Sequence, residues 1–216
     1  MTAASFSTLD QSELIHLALE ADRLGNSGAS LSYLKEAVGR ADATAPAHLL
    51  LGAGYAQLQM YDRAAAEMES ALAVDPTFAI ARFQLGLLQL TSGDGERAMS
   101  TLLPLQELDE QHALHQFGSG LIHLMRNEFA ATLACMARGM ELNTDNPALN
   151  TDMQLIVDKV NALPPEALAA AAPAGSGDPA ATPVPVPPAQ EQAQAPADDQ
   201  VANPIFLSAY TSGGKQ

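Results

Sequence analysis

His112, His115 and His123, with Asp109 and Glu110 just upstream, are the residues best placed by type and spacing to do chemistry. A His-x-x-His step beside carboxylates offers the nitrogen and oxygen donors that a divalent cation takes. The order is not the His-Glu-x-x-His of zinc hydrolases, in which both imidazoles share one helix face. His112 falls at an expected turn, and His123 at a position that packing explains better. Surface or packing roles are therefore expected, with no metal and no other cofactor. His16 and His48 have no evident partner along the chain. Cys135 is the single cysteine, which excludes an internal disulfide and a cysteine-rich zinc site. Inside a packed helix its thiol acts as a small hydrophobe, not a nucleophile. Gly52-Ala53-Gly54 lies within a helical stretch and makes no phosphate loop. No catalytic set assembles from these groups, so the chain is not expected to be an enzyme.

The charge balance narrows the partners. Asp and Glu number 25 against 10 Lys and Arg, a net charge of −15. A phosphate backbone needs a basic face, so nucleic acid is not expected. No apolar run is long enough to span a bilayer, so no membrane partner is expected. The opening MTAASFSTLD has neither the basic nor the apolar stretch of a signal peptide, which makes a cytoplasmic location the expectation. Ten of the 14 prolines fall in residues 164–216. The stretch 164–204 is rich in Ala, Pro, Gln and Gly, and cannot bury enough surface to offset its ordering entropy. It reads as a disordered linker after a folded part of residues 8–163.

The elements that would position any site follow from periodicity. The chain repeats itself at one constant step, the distance from Gln11 to Ala45, giving windows 11–44, 45–78, 79–112 and 113–146 without an insertion. Position eight reads Ala18, Gly52, Gly86, Gly120; position twenty reads Ser30, Ala64, Ala98, Thr132. Position twenty-four reads Leu34, Met68, Leu102, Met136, and position twenty-seven Ala37, Ala71, Leu105, Gly139. Each window splits into two amphipathic helical stretches. The small residues at positions eight and twenty let the two helices of a pair approach closely. Asn26–Gly28, Met60–Asp62, Ser92–Gly95 and Asn127–Glu128 separate the paired stretches. Asp10 with Glu13 forms an expected capping box, and Asp75-Pro76 ends the second pair. Pro104 lies inside an expected helix, which it must kink or shorten. Residues 147–163 form one more helix, a cap with Asn150, Asp152, Asp158 and Lys159 outward.

Leu51-Gly52, Tyr55, Ala64, Met68, Ala71 and Pro76 of the second window give this arrangement its closest match, and it resembles the tetratricopeptide-repeat family. The large aromatic usual at position four is replaced by Leu14, His48, Arg82 and Gln116. The resemblance implies an all-α, right-handed solenoid of helical hairpins over 11–146, capped by 147–163. It also implies a concave groove lined by the first helix of each pair at positions two, five, nine and twelve. Carried over, those positions include Ile15, Leu49, Phe83, Leu87, Leu90, Phe117, Leu121 and Leu124. The row is apolar and lacks the Lys, Arg and Asn of the family's clamp for C-terminal carboxylates. In this it is similar to the hydrophobic groove of the tetratricopeptide-repeat chaperones of bacterial type III secretion. The implied role is a non-catalytic protein-interaction module, an adaptor, assembly factor or chaperone, that takes an apolar peptide segment.

After the linker, residues 205–216 carry a compact apolar motif of Ile205, Phe206, Leu207 and Tyr210. Phe206 and Tyr210 are four apart, the spacing of one helix face. Three readings remain open: a peptide for another protein, a peptide for the chain's own groove or that of a second copy, or an inert terminus. A self-associating or tail-occluded scaffold is thus the alternative function, with a metal-dependent enzyme behind it.

Overall fold

The computed structural model describes Phe6 and residues 9–164. The 205–216 motif, with Ile205, Phe206, Leu207 and Tyr210, lies outside the described residues, as does the linker beyond Pro164. Nine α-helices and no strand occur among the described residues: α1 (Gln11–Arg23), α2 (Ser27–Val38), α3 (Ala45–Gln57), α4 (Tyr61–Val74), α5 (Ala79–Thr91), α6 (Gly95–Leu102), α7 (Ala113–Met125), α8 (Phe129–Leu142) and α9 (Pro147–Asn161). The odd-numbered helices begin at 11, 45, 79, 113 and 147, and α2, α4, α6 and α8 at 27, 61, 95 and 129. Both series advance by the constant step of the sequence. Helices pair as α1–α2, α3–α4, α5–α6 and α7–α8, and each pair stacks on the next.

The pairing rests on the small residues that recur with the period. A Cβ on Gly52 would stand 3.0 Å from the Ala64 carbonyl oxygen and 3.0 Å from Met68 Cγ. One on Gly86 would meet Leu102 Cδ2 at 2.5 Å, and one on Gly120 would meet Met136 Cε at 2.9 Å. Position eight therefore receives the large side chain of position twenty-four in each of these pairs. Leu34, Met68, Leu102 and Met136 are all buried as a result. Burial of a side chain of this size contributes about 1.5–3 kcal/mol.

The connections inside the pairs share one backbone device. Gly25, Gln59, Gly93 and Asn127 all have positive φ, at 73°, 59°, 85° and 59°. They recur at the same step as the helices. Glycine takes this left-handed conformation without a Cβ penalty, and asparagine tolerates it. Gln59 is the residue that composition does not explain.

Asp10 caps α1 as expected: its carboxylate accepts from the Glu13 amide at 2.8 Å while Glu13 Oε2 accepts from the Asp10 amide at 2.7 Å. Pro104 shortens α6, and the chain continues as a 3-10 turn, Leu103–Glu107. That turn aims Leu105 at Gly118, where a Cβ would come within 2.9 Å of Leu105 Cδ1. The polar residues at position four form bridges in place of an aromatic ring. His48 Nδ1 lies 2.8 Å from Glu67 Oε2. Arg82 donates to the Pro76 carbonyl and Gln116 to the Glu110 carbonyl, both at 2.7 Å.

Candidate functional site

The three histidines nearest to a metal-site spacing do not converge. His112 Nδ1 accepts from the Leu114 amide at 3.1 Å and so caps α7. His115 Nδ1 meets the Leu108 carbonyl at 2.9 Å, and His123 Nδ1 pairs with Glu128 across the α7–α8 connection. Among the described residues no group of three or more His, Cys, Asp or Glu side chains is gathered as for a metal ion. Cys135 is half-buried rather than fully buried, and desolvation raises its thiol pKa, the direction opposite to activation.

The carried-over groove residues separate into two sets. Leu49, Phe83, Phe117 and Leu121 are completely buried. The Phe83 and Phe117 rings stand 6.1 Å apart, tilted by 46°, and a Cβ on Gly139 would collide with the Phe117 ring. These four therefore do not line an open groove, which corrects the expectation carried over from the resemblance. Close approach of neighbouring helices places position five between them rather than before solvent. Ile15 is half-buried and packs against the clusters built on Leu14 and Ala18. Leu87, Leu90 and Leu124 remain, and all three line one cavity.

That cavity measures about 470 Å³, within the range of ligand-sized pockets. The carboxyl-terminal halves of α5 and α7 supply Leu87, Leu88, Leu90 and Leu124, and Phe129 of α8 adds to the lining. The opposite wall is α9, through Asp152, Met153, Leu155, Ile156 and Lys159. Leu155 is half exposed at the rim. The register carried to α7 runs on into α9, where Leu155 holds the place that Leu121 holds in α7. That continuation is legible in the sequence, but a groove confined to four windows leaves out the whole α9 wall.

Asp152 departs furthest from expectation. It stands three residues after Leu149 and four before Ile156, on the stripe that turns Leu149, Met153 and Val160 inward. It is 9% exposed, and its Oδ2 has no hydrogen-bond partner among the described residues. Burial pushes its carboxyl pKa up to about 6. Asn150 is also drawn in: it donates to the carbonyls of Met140 and Asn143 and accepts from Asn143 Nδ2, stitching α9 to the end of α8. Asp158 and Lys159 are the two of the four that are exposed. The arrangement can hold an apolar body and offers one buried acceptor to a hydrogen-bond donor. No helix among the described residues is long and apolar enough to cross a membrane.

A tetratricopeptide-repeat family model matches residues 55–117. Among solved structures, the chain is similar to a crystal structure of MamA, at 17% identity over 62% of this chain and 78% of that one, with a TM-score of 0.51. It is also similar to MamA 41-end from Desulfovibrio magneticus RS-1, at 18% identity over 70% and 87%, again with a TM-score of 0.51. At such identities the likeness is one of fold. A comparison with curated proteins returned no match.

Proposed function

We propose that this tetratricopeptide-repeat protein, a helical module for protein–protein interaction, captures an apolar peptide segment in the cavity between α5, α7 and α9. The observation that carries the reading is the cavity itself. Leucines from two successive first helices face a third helix that has no second helix beside it among the described residues. Apolar surface of this kind marks an interaction site, and a short segment with anchors at helical spacing suits its shape. An adaptor or chaperone role follows from holding such a segment without changing it. The net charge of −15 favours a protein partner over a phosphate backbone.

A display selection of random peptides against the full-length chain tests the reading. Enriched sequences are expected to carry apolar residues at three- and four-residue spacing. The selection should collapse against Leu155→Asp, whose circular dichroism stays that of the parent. Enrichment that survives Leu155→Asp would move the binding surface elsewhere.

A further inference from the structure

We infer that the occupant of the α5–α7–α9 cavity in the resting protein is the chain's own 205–216 segment, so that the tail is a tethered competitor of outside partners. This rests on the peptide-binding reading above and names the occupant of the same site. Three observations lead to it. The first is where the chain leaves the fold: Leu163 lines the cavity, and residues 165–216 follow directly after it and Pro164. The tether is thus rooted at the site it serves. The second is content. Within residues 165–216, Ile205, Phe206, Leu207 and Tyr210 are the one compact cluster of large apolar residues. The third is the acceptor. Asp152 lines the cavity, is nine-tenths buried, and has an Oδ2 without a partner among the described residues. Tyr210 is the member of the motif that joins an apolar ring to a hydroxyl donor. Its phenol supplies what the carboxyl lacks, while Phe206 adds a second ring at the spacing of one helix face.

The tether makes even weak docking effective. Any flexible chain of about 40 residues has a root-mean-square span of about 35 Å. A tether of that span starting beside the cavity would hold the motif at an effective concentration on the order of millimolar. An intrinsic dissociation constant of about 0.1 mM would then leave the cavity roughly nine-tenths occupied, and an outside segment would bind about tenfold more weakly than to an open site.

The chain contains no tryptophan, so Phe206→Trp in the full-length protein reads the environment of the motif alone. The expected emission is blue-shifted and independent of concentration, and it moves to the solvent value when Leu155→Asp is added. A free 201–216 peptide should bind the Phe206→Asp/Tyr210→Asp chain about tenfold more tightly than the parent. Solvent-like emission from the introduced indole, together with equal peptide affinity for both chains, would overturn the inference. So would a blue shift that Leu155→Asp leaves in place. A shift that grows with concentration and with a doubled mass would assign the cavity to a second copy and overturn it as well. The display selection, repeated on the Phe206→Asp/Tyr210→Asp chain, keeps the two ideas apart. If it succeeds while the tail stays exposed, only the tail inference fails. If it also fails, the peptide-binding reading falls with it.

Discussion

The third and ninth helices occupy equivalent places in the repeat pattern and meet opposite fates. α3 (APAHLLLGAGYAQ) is buried on every side, from Ala45 through Ala56 except at Pro46 and His48. A helix apolar all round must lie inside other structure. α4 covers it on one side and α2 on another, with Gly52 and Gly54 admitting the Met68 and Leu31 side chains, and Ala81, Leu85 and Leu88 of α5 share its core cluster. α9 is amphipathic and stands at the end of the stack. It turns Leu149, Met153 and Val160 inward, and leaves Leu155 half exposed beside a cavity. Position nine is core in α3, at Ala53, and exposed rim in α9, at Leu155. What differs is whether, among the described residues, a second helix follows to close the face.

The sharpest way to break this contrast is to place one charge in each setting. Leu49→Asp, in α3, is expected to cost upwards of about 4 kcal/mol and to abolish the cooperative thermal transition, because it combines a core cavity with a buried unpaired charge. Leu155→Asp, at the α9 rim, placed in the Phe206→Asp/Tyr210→Asp chain so that no docked tail adds to the balance, is expected to change stability by about 0.5 kcal/mol or less. Equal losses of melting temperature in the two variants would erase the distinction between closed and open faces.

A second, smaller effect should appear at Asp152, measured in the Phe206→Asp/Tyr210→Asp chain so that the tail offers no donor. The folded carboxyl keeps its proton up to about pH 6, whereas the unfolded one releases it near 3.8. Between those values the folded state binds more protons, so stability falls as pH rises through the window. Asp152→Asn removes a cost of about 3 kcal/mol above it. The melting temperature should rise near neutral pH and match the parent below the unfolded carboxyl's range. A gain of equal size at both ends would mean that ionisation is not its source.

The smallest effect concerns the closed half. Gln59 holds the left-handed position that Gly25 and Gly93 fill in the first and third pairs. Gln59→Gly should raise stability by about 0.5–1 kcal/mol, read from denaturant midpoints at unchanged slope. No gain would show that local contacts of Gln59 already offset the strain.

Much of the fold could be read in particular residues. The small position eight and the large position twenty-four fit each other pair after pair, which a one-dimensional pattern can express. Pro104 announced the short α6 because a proline acts on its own helix. Phe83 and Phe117 fell on the wrong side of the surface because their pattern position says only which way a helix face points. How near the neighbouring helix comes depends on Gly118, Gly120 and Gly139 acting together. Asp152 failed the expectation for a different reason. A charged residue reads as outward, yet the stripe of Leu149, Met153 and Val160 fixes the rotation of α9 and carries Asp152 in with it.

The amino-acid order by itself determined the period, the helix pairs, the small-to-large contacts within them and the excess of acidic side chains, because each depends on spacing along the chain or on side-chain type. The tertiary structure alone decided which leucines became core and which remained surface, and which carboxyl lost its water. Those outcomes depend on how many helices close around a face, a quantity that no single segment encodes.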